Sequence, residues 1–166
     1  GKNPKKIQLE SWILQMYLEE VCLYAAKRLE RISDGRYTMY VKDADGGRGY
    51  RGLDLEIYDS YTGKRRACST LSGGETFMAS ISLALAVSDT VQAKNGGVQL
   101  DSLFIDEGFG SLDDTALEKA LSVLDEIRGS RCIGLVSHVA SLKTRIGARL
   151  EIEKGLTGSR IKTVQG

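Results

Sequence analysis

The sequence predicts an α/β lobe preceded by a long helix and a small antiparallel meander. Three observations carry this. Two apolar segments, Leu103-Phe104-Ile105 and Ile133-Gly134-Leu135-Val136, flank a helical pattern, the spacing of parallel strands joined by a crossover helix. Helical periodicity also runs unbroken over residues 7–33. Between these regions, short segments alternate apolar and polar residues around turn-forming clusters.

In chain order, Pro4 precedes the first helix and Gly35 stops it. It carries two apolar faces. Ile7, Leu14, Leu18, Val21, Cys22, Ala25, Leu29 and Ile32 form one, while Leu9, Trp12, Ile13, Met16 and Leu23 lie nearly opposite. Lys27 and Arg31 replace the second stripe further on. Two readings fit: the helix threads the core of the domain, or it leaves the globule to pair with another segment or a partner.

Strands are expected at 36–42, 52–60 and 64–69, with Tyr37, Met39 and Val41, then Leu53, Leu55 and Ile57, on single faces. Residues 43–49 and 61–63 supply the turns of an antiparallel meander. An alanine- and leucine-rich helix follows at 74–93, then a buried strand ending at Ile105. A helix at 113–128, a strand at 132–136 and a short helix after Ser137 complete the α/β part. Residues 149–153 and 160–164, around Gly155-Leu156-Thr157-Gly158, form a terminal hairpin.

Composition narrows the class. A chain of 166 residues fits one domain, and 42% hydrophobic with 27% charged residues is ordinary for a globular protein. Net charge is +1, so any basic surface must be local. No uninterrupted apolar run approaches the ~20 residues that cross a bilayer, and no signal-type segment opens the chain. Cys22, Cys68 and Cys132 contain no Cys-x-x-Cys, so zinc is not expected here and the thiols fit a reducing cytoplasm. Gly1 in place of methionine is expected to mark an engineered start, and the sequence a piece of a longer protein.

The chemistry concentrates in four segments. Leu71-Ser72-Gly73-Gly74-Glu75 opens the second helix. It fits a capping box, with Ser72 as cap and Glu75 reaching back. It also fits an anion site, because the glycines let backbone N–H groups approach a phosphate at a helix start. Asp106 and Glu107 end the first apolar strand, where α/β sheets bind ligands. Adjacent acids there suit a shared cation, with Asp106 on Mg²⁺ and Glu107 orienting or deprotonating a water; two solvated acids are the plainer alternative. Gly108-Phe109-Gly110-Ser111-Leu112-Asp113 is a glycine-flanked loop entering a helix, with Ser111 as its expected cap. His138, the one histidine, follows the second strand and is either structural or catalytic. No Gly-x-x-x-x-Gly-Lys-Ser/Thr occurs: Gly63-Lys64 has Tyr58 and Arg65 at the flanking positions.

In this order the segments resemble the ABC-type ATPase family: signature Leu71 to Glu75, Walker B Leu103 to Glu107, D-loop Ser111-Leu112-Asp113 and switch His138. Glu75-Thr76-Phe77, Ser82-Leu83-Ala84-Leu85-Ala86, Asp106 through Asp113, and Ser137-His138-Val139 with Leu142-Lys143 are similar to the carboxyl-terminal half of the SbcC branch of SMC-like ATPases. The resemblance covers Ser69 to about Ile152. It implies the carboxyl-terminal lobe of an ABC ATPase head, a half-domain lacking the P-loop. Residues 1–33 would be the root helix of a returning coiled coil and 34–166 the lobe itself.

The resemblance further implies ATP and Mg²⁺ as cofactors, with a zinc hook only in the coiled coil outside this sequence. Glu107 and His138 would be catalytic, Asp106 the Mg²⁺ ligand, and Ser72, Gly73 and Gly74 would contact a nucleotide held by a second head. Ser111, Leu112 and Asp113 would line the dimer interface. Implied partners are an SbcD-like nuclease, a second copy, the amino-terminal P-loop lobe of the same chain and double-stranded DNA, with no membrane. The implied location is a bacterial cytoplasm, at the nucleoid. The segment alone is expected to be inactive. An SMC- or RecN-type organising ATPase without a nuclease is the alternative, and a non-catalytic module that keeps the motif is opposed by Asp106-Glu107. Lys64-Arg65-Arg66 is a candidate contact for DNA phosphates.

Overall fold

The computed structural model describes residues 9–42, 53–94, 102–128, 132–155 and 158–165. The expected turn at 43–49 lies outside them. Helix α1 (Leu9–Ile32) leads into an antiparallel sheet of β1 (Tyr37–Val41), β2 (Leu55–Asp59) and β3 (Lys64–Ala67). A 3₁₀ turn (Cys68–Thr70) precedes α2 (Gly73–Lys94). Next come β4 (Ser102–Asp106), a 3₁₀ turn (Phe109–Ser111), α3 (Asp114–Arg128), β5 (Cys132–Val136) and α4 (Ala140–Arg145). Strands β6 (Ala148–Gly155) and β7 (Gly158–Gln165) pair as the terminal hairpin, with Ile152 opposite Ile161.

The meander registers as its alternation requires. Tyr37 pairs with Asp59 and Met39 with Ile57, so Tyr37, Met39 and Ile57 are buried on one face. Strands β4 and β5 are parallel, Leu103 opposite Ile133 and Asp106 opposite Val136, with α3 as crossover. The core joins the second half of α1 (Val21, Cys22, Ala25, Leu29, Ile32) to α2 (Met78, Ala79, Ile81, Leu85, Ala86), to α3 (Leu117, Val123, Leu124) and to the meander. Ion pairs Arg28–Asp89 and Glu20–Lys94 run between α1 and α2. By length and composition α2 could cross a bilayer, although no uninterrupted apolar run marks it; one face of it is buried in this core, while Val87 and Val91 are exposed.

Two expectations change. Leu14 does not continue the buried stripe of α1; it is exposed with Leu9, Trp12, Ile13, Met16 and Leu23, and Leu18 is only half-buried. The first half of α1 therefore does not thread the core: its large apolar side chains are exposed, and Lys94 at the end of α2 meets it at Tyr17 and Glu20. Strand β4 is not buried on both faces. Leu103 and Ile105 are half-buried against the core, but Phe104 is 75% exposed and lies over Gly134. An apolar run such as Leu-Phe-Ile does not reveal whether one face or two are covered.

Candidate functional site

The signature segment folds as a capping box. The Ser72 N–H donates to Glu75 Oε2 at 2.8 Å, and the Glu75 N–H to Ser72 Oγ at 3.4 Å. The glycines have a second reason to be there. A Cβ on Gly73 would sit 3.2 Å from Ser111 Cβ, and one on Gly74 would meet the Ser111 carbonyl oxygen at 2.9 Å. Anion access is what the sequence suggests for these positions; the close seat of α2 on the loop before α3 is what the backbone shows.

Glu75 is fastened well beyond its cap. Its carboxylate also accepts from the Tyr37 hydroxyl on β1 and pairs with Arg66 Nη2 on β3 at 2.9 Å. Burial opposes its charge, but the bonds from Tyr37, the Ser72 N–H and Arg66 prevail and hold the carboxyl down at about 2. Tyr37, buried and donating to that carboxylate, is pushed up to about 12. Arg66 thus turns inward, donating to the Thr70 carbonyl at 3.0 Å as well. Of the basic triplet that was a candidate contact for DNA phosphates, only Lys64 and Arg65 stay exposed, and Arg65 stacks on Tyr40.

At the carboxyl end of β4 the geometry reverses. The Glu107 N–H is tied to the Val136 carbonyl at 2.9 Å, yet its side chain is 58% exposed. Its φ of 61° puts a non-glycine residue in the left-handed region, a costly conformation that concentrates at working sites. Gly108 follows at φ 97°, and a Cβ there would lie 2.2 Å from the Phe77 ring of α2. Phe77 in turn packs on Phe109, centroids 4.7 Å apart. This explains Gly108-Phe109: the acid's turn is wedged against the signature helix.

His138 Nδ1 lies 3.1 Å from Glu107 Oε2 and 3.4 Å from Oε1. A neutral imidazole makes this bond only with its proton on Nδ1, which leaves Nε2 as an acceptor beside Gly110. Asp106, exposed, ends β4 one residue earlier. Among the described residues no three His, Cys, Asp or Glu side chains gather as a metal site. Asp106 fits a cation that takes one or two carboxylates and completes its shell with water and substrate phosphates, as Mg²⁺ does.

The D-loop corrects one expectation. Ser111 does not cap α3; its hydroxyl closes the 3₁₀ turn by donating to the Gly108 carbonyl at 2.8 Å. Asp113 is the cap, accepting from the Ala116 N–H at 2.7 Å. Signature, D-loop, Asp106-Glu107 and His138 are therefore contiguous, linked by Gly73 and Gly74 against Ser111 and by Gly110 against His138. Tyr37 and Arg66 are not singled out by the motifs. The available signal was a tyrosine at a buried position of an alternating strand, whose hydroxyl had to find a partner.

A model of the SbcC/RAD50-like, Walker B motif family matches residues 43–126. The SbcC component of the nuclease SbcCD of Treponema pallidum (strain Nichols) is 55% identical over 163 residues, 97% of this chain. Its counterpart in Vibrio cholerae serotype O1 is 48% identical over 99% of the chain. The chain spans 16% of the length of each. Among solved structures, one described as "Structural biochemistry of ATP-driven dimerization and DNA stimulated activation of SMC ATPases" superposes at TM-score 0.73 and 11% identity, covering 93% of this chain and 89% of that one. The SMC head domain from Thermotoga maritima superposes at 0.61 and 15% identity, over 95% and 52%. At such identities the likeness shows the fold alone, which this chain shares with these head domains. With residues 43–126 matched, half of its length, the chain belongs to the SbcC/RAD50-like family.

Proposed function

We propose that this chain is the carboxyl-terminal head lobe of the ATPase component of a DNA-end-processing nuclease complex. Its P-loop lobe and coiled coil are supplied by the rest of a longer chain, with residues 1–33 as the coil root and 34–166 as the lobe. The observation that carries the reading is the Glu107–His138 pair at 3.1 Å, exposed at the end of β4 beside Asp106. Glu107 would orient or deprotonate the attacking water, and His138 would hold its carboxylate and offer Nε2 toward the phosphate side. Asp106 would hold Mg²⁺, which neutralises phosphate charge when bound. Ser72, Gly73 and Gly74 would meet the nucleotide of a second head, with Ser111, Leu112 and Asp113 at the interface.

An SbcD-like nuclease, a second copy and double-stranded DNA are the partners this reading requires, in a bacterial cytoplasm at the nucleoid. Without a P-loop the lobe alone would not turn over ATP. Its test is Ser72→Arg in the full-length protein. Each head should still bind ATP, while ATP-dependent dimerisation, read by light scattering, should fail. Normal dimerisation would leave Ser72 a helix cap only. Retention of an SbcD-like nuclease in a pull-down separates this reading from a nuclease-free SMC or RecN type.

A further inference from the structure

A capping box is complete with two bonds, Ser72 to Glu75 and back. Glu75 has more than that, and the extra donors come from outside its own helix. The Tyr37 hydroxyl reaches it from β1 and the Arg66 guanidinium from β3. The Glu75 side chain is only 17% exposed, and Tyr37 is buried. Arg66 also stacks over the Tyr37 ring at 5.6 Å and donates to the Thr70 carbonyl, just ahead of Leu71. The exposed Ser72 is thus held at its own N–H by Glu75, and Arg66 anchors Thr70 two residues before it.

These bonds do little for helicity, because α2 already has its cap. They fix where the first turn of α2 sits relative to the meander. Placing them has a cost: Arg66 Nε is buried without a partner among the described residues. The meander is itself clamped to the end of α1. The Gly35 N–H donates to the Glu30 carbonyl at 2.7 Å, and the Tyr37 N–H to Ser33 Oγ at 3.0 Å. A second arginine, Arg36, lies over the same Tyr37 ring at 4.7 Å and pairs with Asp59 at 3.3 Å.

We propose that Tyr37 and Arg66 are positioning residues for the signature segment: acting through Glu75, they hold Ser72 and the Gly73 and Gly74 amides where the nucleotide of a second head must find them. This rests on the role proposed for Ser72 above. Neither residue touches a nucleotide. Their work is to spare the composite site the cost of ordering an exposed turn each time two heads close.

The test uses the full-length protein and an ATP analogue that cannot be hydrolysed. Four variants are compared with the parent: Tyr37→Phe, Arg66→Met, Arg66→Lys and Ser72→Arg. Tyr37→Phe removes one oxygen atom from a ring that stays packed, so it keeps the measurement meaningful even where an Arg66 variant folds poorly. The readouts are the analogue concentration for half-maximal head dimerisation, the affinity of undimerised heads for the analogue, and the melting temperature. Expected are a rise in the dimerising concentration of about threefold for Tyr37→Phe and about tenfold for Arg66→Met, the latter about 1.4 kcal/mol. Arg66→Lys, which keeps a positive charge beside Glu75 but not the fork to Thr70, should fall between. Affinity of undimerised heads should not change.

A merely structural role would lower the melting temperature and leave the analogue dependence where it was. If Tyr37→Phe and Arg66→Met dimerise at the parent's concentration while Ser72→Arg does not dimerise, the positioning role is overturned and the role of Ser72 stands. If Ser72→Arg also dimerises like the parent, both fall.

Discussion

Two glutamates close the two ends of this site, and they are treated in opposite ways. Glu75 is mostly buried, accepts from three separate donors and is held at about 2. Glu107 is 58% exposed, has His138 as its side-chain contact among the described residues, and hangs from a left-handed backbone. A carboxylate that accepts three hydrogen bonds and is held at about 2 does not take a proton from water at working pH. One that is exposed, oriented by a single imidazole and set in a costly conformation is available for chemistry. In the same lobe, Glu75 is built into the scaffold and Glu107 is displayed by it.

The largest effect should come from the displayed acid. In the full-length protein, Glu107→Gln keeps shape and hydrogen bonding but removes the proposed base, so steady-state ATP turnover should fall by roughly 10²–10⁴-fold while ATP-bound heads stay together. Wild-type turnover would place Glu107 among the solvated surface acids and dissolve the contrast. Next in size is the wedge beneath it. Gly108→Ala puts a Cβ into the Phe77 ring and an L side chain at φ 97°. A loss of roughly 2–5 kcal/mol in local stability is expected, read by hydrogen exchange of the β4–α3 segment. Phe77→Leu in the same chain should recover part of it. An unchanged exchange pattern would mean that the turn is not held by α2.

The smallest effect tests the built-in acid. Glu75 is depressed in the folded protein, so its stabilising contribution is fully present above the unfolded value near 4.5 and drains away as pH falls toward about 2. Glu75→Gln has no such group to protonate. Hydrogen-exchange protection at the start of α2 should therefore favour the parent at pH 6, and the gap should narrow below pH 4.5 by up to about 1.4 kcal/mol per pH unit. A gap independent of pH would mean that Glu75 acts through shape alone.

Periodicity made most of the fold legible. Alternation at Tyr37, Met39 and Val41, and the helical patterns of α1, α2 and α3, are local signals that the core simply collects. Where tertiary contacts decide, the sequence was silent. Ser111 and Asp113 are both good caps two residues apart, and only the turn donated to Gly108 tells which one serves α3. Gly73, Gly74 and Gly108 read as room for an anion or for a turn. That Ser111 and Phe77 lie against them is a contact between segments far apart in sequence. Arg66 looked like surface because its partner is on another element. The motif residues themselves were found by order along the chain, and the structure brings them to one end of β4 and β5.

The open side of the β4–β5 pair has a practical consequence. Its two strands carry Phe104 and Val136 into solvent, and among the described residues no third strand joins either edge. Unpaired edges beside an uncovered apolar face are a template for association between copies. Prepared by itself, the lobe carries its own aggregation surface, and its solubility becomes a matter of protein concentration before any nucleotide is added.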